Sequence, residues 1–216
     1  MHGLFLALAL AAVSPQSEDA QIATAEKALQ SDAVALKAEK TALALAGSRA
    51  GREKGTLVLA LDDGRRVRLS DLSCANKDEP CPIYRLAAFL PSRGVFLVDK
   101  IYMEAYDFLL IEIANGRQHE ISGPPHYSPD GQRFVTCRVD EMNGGGTDIW
   151  RIASGRYVHE WQNDWMSQCG RWRSNSEVEI EVESPQASDK LHPALVVRAG
   201  EHWELRQGLD MLKARP

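Results

Sequence analysis

Pro124-Pro125-His126-Tyr127-Ser128-Pro129-Asp130-Gly131-Gln132-Arg133-Phe134-Val135, a Gly-rich loop, and Ile149-Trp150-Arg151-Ile152-Ala153-Ser154-Gly155-Arg156-Tyr157-Val158-His159-Glu160-Trp161 read as a turn followed by three β-strands. Pro129 presets φ for the turn and Gly131 tolerates its exit geometry. Arg133 to Val139 alternates, with Val135, Cys137 and Val139 on one face and Phe134 on the other. Asp148 to Ile152 and Arg156 to Trp161 flank Ala153-Ser154-Gly155 as a hairpin.

The same elements recur on either side. Upstream, Thr56–Leu61 and Arg65–Leu69 flank Asp62-Asp63-Gly64, and Arg65, Arg66 and Arg68 read as a solvated face beside those aspartates. Ile83–Leu90 is a strand, Pro91–Gly94 a turn, and the apolar runs Val95–Val98 and Phe108–Ile111 lead to the hairpin signal Asn115-Gly116. Downstream, Gln162–Gly170 reads as a long Trp-bearing connection, with Trp172–Ser176 in the place of the turn. Glu177–Glu183 then places Val178, Ile180 and Val182 inward and four glutamates outward; Ser184–Pro193 reads as a polar loop before a closing hairpin around Gly200. The hairpin glycines Gly64, Gly116, Gly155 and Gly200 lie 52, 39 and 45 residues apart. A loose repeat of that length, with three or four strands per copy, predicts propeller-like blades that bury their faces by stacking.

Tyr127–Val135 followed by Ile149-Trp150-Arg151-Ile152 resembles a blade of the TolB-type and WD-repeat propellers, with Ile149-Trp150-Arg151 near the place of their Trp-Asp dipeptide. The region of about 85–205 is also similar to exported bacterial proteins carrying such blades. This resemblance implies a fold and not an activity. The expected fold is mainly β: a propeller-like stack of three to four antiparallel blades, preceded by an Ala-rich helix.

Before the blades, Leu4–Val13 is an apolar run of signal-peptide length, with small residues for cleavage after Ala12, Ser14 or Ala20. The expected organisation is a signal peptide over 1–20, a helical segment and linker over 21–54, the β domain over 55–208 and a tail over 209–216. Ile22, Leu29, Leu36 and Leu43 recur every seven residues in the helical segment, which is continuous or broken near Ser31-Asp32 and stops at Gly47. The expected location is periplasmic or secreted. Cys74, Cys81, Cys137 and Cys169 then favour two disulfides over zinc or free thiols: one local to the Cys74–Cys81 loop and one across neighbouring strands or turns.

A net charge of −5 supplies no basic field, so nucleic acid is not an expected partner, and stable membrane insertion is not expected either. The chain carries no nucleophile elbow, zincin helix, Walker loop or dinucleotide fingerprint, and no catalytic residue or cofactor is assigned. His119, His126, His159, His192 and His202 look singly scattered, and Gly144-Gly145-Gly146 looks like a loose loop. Asp140, Glu141, Asn143 and Asp148 crowd that loop without EF-hand spacing, so no metal site is assigned. Trp165, with Trp161 and Asp164, is the expected partner-binding patch, because tryptophan is enriched where proteins recognise one another. The expected function is an exported, non-catalytic binding or scaffold domain contacting a protein or cell-envelope component through blade-connecting loops. The alternative is a hydrolase or lyase whose site is assembled from scattered residues in a cleft.

Overall fold

A computed structural model describes residues 15–29, 31–72, 81–102, 106–138, 145–184 and 187–207. Two helices, α1 (Pro15–Ala28) and α2 (Asp32–Ala46), precede four antiparallel sheets. The first sheet holds β1 (Ala50–Glu53), β2 (Thr56–Ala60) and β3 (Arg66–Ser70); the second holds β4 (Ile83–Leu90), β5 (Val95–Ile101), β6 (Tyr106–Glu112) and β7 (Gln118–Ile121). The third holds β8 (His126–Tyr127), β9 (Arg133–Arg138), β10 (Gly146–Ala153) and β11 (Arg156–Asn163). The fourth holds β12 (Ser167–Ser174), β13 (Glu177–Ser184), β14 (Ala187–Ala199) and β15 (His202–Gln207). Within each sheet the strands follow chain order, so every sheet is a blade-like meander.

The sheets stack face to face in sequence order, and burial explains their patterns. Leu57, Leu59 and Leu69 of the first sheet meet Phe96, Val98 and Ile111 of the second. The second sheet's other face sets Val95, Leu97 and Leu110 against Phe134 and Tyr157 of the third. Val135 and Ile149, on the far side of the third sheet, meet Val178, Ile180 and Val182 of the fourth. A sheet covered on both faces needs apolar residues at every position, hence the unbroken runs in β5 and β6. In the end sheets β3 and β13 alternate. Arg66 and Arg68 of the first sheet pair with Glu53 at 4.0 and 2.9 Å, and Glu179 of the fourth pairs with Arg171 and Arg173. Among the described residues no buried cluster joins the first sheet to the fourth, and these charged outer faces terminate the stack as polar capping repeats do.

Several local expectations need correction. The linker before residue 55 contains β1, because Lys54 and Gly55, at φ 48° and 79°, fold it back onto β2. The helical segment is broken between Ala28 and Asp32, the second of the two expected forms; of its heptad residues Ile22, Leu29 and Leu43 pack on the sheets but Leu36 is 57% exposed, and Ala35, Ala38, Ala42 and Ala46 make the buried face of α2. Small side chains let a helix lie close against a sheet. The connection ascribed to Gln162–Gly170 shrinks to three residues, since β11 runs to Asn163 and β12 starts at Ser167 with Trp172 inside it. The polar loop at 184–193 is largely the start of β14, whose backbone pairs with β13 from Ala187 opposite Ser184. Polarity misled there, because pairing with β13 satisfies the backbone whatever the side chains are.

The helices seal the free edge of β4. The Gln21 side-chain amide donates to Phe89 O and accepts from Phe89 N, both at 3.0 Å, as a neighbouring strand would. Glu39 accepts from Leu86 N, Asp71 from Tyr84 N, and Arg52 donates to Tyr84 O. Covering an edge in this way blocks further strand pairing. Glu18, fully buried, accepts from Ser92 N at 2.7 Å and from Ser92 Oγ, which locks α1 onto the β4–β5 turn. Cleavage after Ala12 or Ser14 leaves α1 whole, whereas cleavage after Ala20 removes Glu18. A chain starting at Gln21 is expected to be about 3 kcal/mol less stable than one starting at Pro15, because charge-assisted hydrogen bonds to a buried group are lost. Urea unfolding of the two truncations tests this; equal midpoints would contradict it.

The third and fourth sheets are tied twice more. Cys137 of β9 and Cys169 of β12 form a disulfide with Cα atoms 5.3 Å apart. Cys81 is also disulfide-bonded, while Cys74 lies outside the described residues. Glu160 accepts from Arg133 at 2.9 Å, Arg151 at 2.6 Å and Trp203 Nε1 at 3.1 Å. Burial alone would push its carboxyl up, but these donors outweigh it and hold the group below the usual carboxylate range.

Candidate binding face

The β2–β3, β4–β5, β6–β7 and β10–β11 turns lie at one end of the stack and the blade-joining connections at the other. The third-to-fourth connection is Asp164-Trp165-Met166. Trp165 N donates to Asn163 Oδ1 at 2.9 Å, which closes a local Asx turn, and the side chain stays 37% exposed. Asp164 beside it is exposed and accepts from Gln162 at 3.4 Å. Trp161 is different: it stands opposite Ile149 and packs into the seam between the third and fourth sheets. The structure therefore brings two of the three expected residues to the connection and buries part of the third. Trp203 is buried and Trp150 packs against the core cluster of the second and third sheets.

The connection is pinned from below. A Cβ at Gly145 would stand 2.0 Å from Met166 Cα and 2.8 Å from Arg138 O, so only glycine permits this approach. Gly145 is thus a packing residue and not part of a loose loop. Ser167 Oγ accepts from Thr147 Oγ1 at 2.6 Å and donates to Gly146 O at 2.8 Å, with both hydroxyl residues fully buried. Trp165 therefore projects from a rigid frame.

Three of the histidines are not solitary. His159 Nε2 lies 3.0 Å from Asp148 Oδ1, His119 Nε2 2.8 Å from Glu112, and His126 Nε2 2.6 Å from Glu26. Trp150 is packed between the first two, with ring centroids 4.8 Å from His159 and 5.7 Å from His119. Ser122 Oγ also bonds to Asp148, and Thr136 Oγ1 approaches it at 3.4 Å. A hydrolytic triad needs the serine proton to pass to histidine, but here serine and histidine converge on the carboxylate. His192 and His202 lie on β14 and β15.

A cleft of about 550 Å³ opens between α1 and the third and fourth sheets, lined by Glu26, His126, Ser122, Arg138 and the Cys137–Cys169 bridge. Arg138 pairs with Asp107 on its wall. Among the described residues no three His, Cys, Asp or Glu side chains stand where they could hold a metal. Asp140, Glu141 and Asn143 lie outside the described residues, and Asp148 is engaged as above. Among the described residues no helix is long and apolar enough to cross a membrane.

Sequence reasoning named Asp148 but missed Ser122, Thr136, Thr147 and Ser167. The one available signal was polarity at inward strand positions, since Thr136 and Asp148 face each other in register where apolar residues belong.

No family model matches the chain, and no curated protein matches it. Solved structures similar to it include TolB from Acinetobacter baumannii, at 13% identity over 70% of this chain and 37% of that one, with a TM-score of 0.34. A candidate 6-phosphogluconolactonase from Bacteroides uniformis shows 11% identity over 73% of this chain and 52% of that one, with a TM-score of 0.36. The chain thus spans between about a third and a half of the length of these structures.

Proposed function

We propose that the protein is an exported, non-catalytic binding or scaffold domain that recognises a protein or cell-envelope component through the end of the stack where its blades are joined. The observation that carries this is Trp165, a large aromatic side chain 37% exposed on a three-residue connection held by Asn163 and by close packing on Gly145. A rigid exposed tryptophan loses little entropy on binding and makes a strong anchor. The Cys137–Cys169 bridge supports an oxidising compartment. Trp165→Ala is expected to weaken capture of a partner from envelope extracts by at least about tenfold, without lowering the melting temperature. Equal capture of every partner by wild type and variant would sink the proposal.

The second reading, a hydrolase or lyase, is favoured by the His126–Glu26 pair at 2.6 Å on the wall of the cleft, where a carboxylate could orient a histidine base. Its test is a screen of ester, lactone and glycoside substrates with wild type and His126→Ala; turnover that disappears in the variant would establish it.

A further inference from the structure

At the hairpin-turn end, away from Trp165, a second cleft of about 480 Å³ lies between the last turn of α2 and the turns of the first three sheets. Its apolar wall includes Leu45, Ala46, Phe89, Ile113, Ile152 and Tyr157. Leu45 stands at its rim 38% exposed, although it sits on the last turn of a helix whose neighbouring alanines are buried. The cleft exists because the side chains around it are short: Ala46, Ala114, Gly94 and Gly155 border a space that larger residues would close. Protein interiors pack to crystal density, so an open apolar space of this size is a ligand-sized feature and not a packing gap.

The charges at the cleft are already offset within the protein. Arg49 Nη1 lies 2.6 Å from Asp62 Oδ1 at the rim. The buried Glu112 carboxylate accepts from Asn115 at 2.6 Å and is 2.8 Å from His119. Tyr157 OH donates to Arg93 O at 2.7 Å. Arg93 also lines the cleft: its Nε is buried without a hydrogen-bond partner, but its charge is offset by the Tyr127 ring at 4.0 Å and by Glu18 and Asp19 at 3.9 and 4.0 Å, none of which lines the cleft. An ionic ligand would lose its hydration and meet Arg49 and Arg93 only with their own carboxylates beside them, whereas an uncharged one would lose only water from its apolar surface. We infer that this cleft is a binding site for an uncharged, mainly apolar small molecule with the dimensions of a few fused or linked rings.

The test is a fluorescence titration of the full chain with N-phenyl-1-naphthylamine, a neutral apolar probe, beside its anionic relative 1-anilinonaphthalene-8-sulfonate. The expected result is saturable binding of one neutral probe per chain, at least about tenfold tighter than the anion. Leu45→Asp at the exposed rim and Ala114→Trp, which folds an indole over the cleft, are each expected to weaken the neutral probe at least about tenfold. Leu36→Asp, which alters a more exposed leucine of α2 outside the cleft, is expected to change nothing. Absence of saturation, preference for the anion, retention of binding in both cleft variants, or equal loss in Leu36→Asp would each overturn the inference.

Discussion

Asp99→Asn is expected to stabilise the protein at pH 8 relative to wild type, with the advantage shrinking to almost nothing at pH 4. Asp99 lies on β5 and is only 7% exposed, and its Oδ1 has no hydrogen-bond partner. Burial pushes its carboxyl from 3.8 up to about 7; Arg85 opposes that rise, and the Glu39 and Asp32 carboxylates reinforce it. The folded state therefore holds the proton more tightly than the unfolded state. Below pH 4 both states are protonated and the site costs nothing. As pH rises from about 4 to about 7 the unfolded chain releases its proton while the fold resists, and stability falls; above 7 the loss is constant. A rise of that size corresponds to about 4 kcal/mol at about 1.4 kcal/mol per pH unit. Asparagine keeps the shape and removes the titration. Urea melts of both proteins between pH 4 and pH 8 give the difference directly, and a difference that does not change with pH would refute the assignment.

Removing the Cys137–Cys169 bridge, by Cys137→Ser with Cys169→Ser, is expected to lower stability by about 4 kcal/mol, the chain-entropy value for a loop of this length. The bridge spans 32 residues and joins β9 to β12. It stands where β9 has lost its inner neighbour, since β8 pairs only with Phe134 and Val135. Beyond Val135 that strand meets the fourth sheet instead, and the bridge fixes the encounter. The fourth sheet otherwise depends on one apolar cluster and on contacts such as Trp172 Nε1 donating to His126 O at 2.8 Å. The melting temperature should fall by roughly 10 °C for a domain of this size. A fall under about 2 °C would mean that the seam is held by packing alone. The variant leaves Cys74 and Cys81 in place, so the measurement isolates one bridge.

The blades were legible because their signals are local. Gly64, Gly116, Gly155 and Gly200 all have positive φ in the structure, and each closes the hairpin its flanking strands announced. Period-two alternation marked β13, where Val178, Ile180 and Val182 are buried. Errors arose where one signal stood for two situations. Polarity at 184–193 looked like a loop but belongs largely to a strand, and the Trp-bearing stretch 162–170 looked like a connection but lies mostly in β11 and β12. The candidate face was partly legible: Trp165 was singled out by its polar neighbours, while the role of Gly145 depends on a backbone that arrives twenty-one residues later in the chain.

By itself, the sequence determined a mainly β chain of repeated meanders led by Ala-rich helices, because turn chemistry and alternation act between residues a few positions apart. The tertiary structure alone decided which edge those helices seal, that Glu26 of α1 meets His126, and which backbone packs against Gly145. Each depends on contacts between groups tens of residues apart, and no local pattern encodes such a distance.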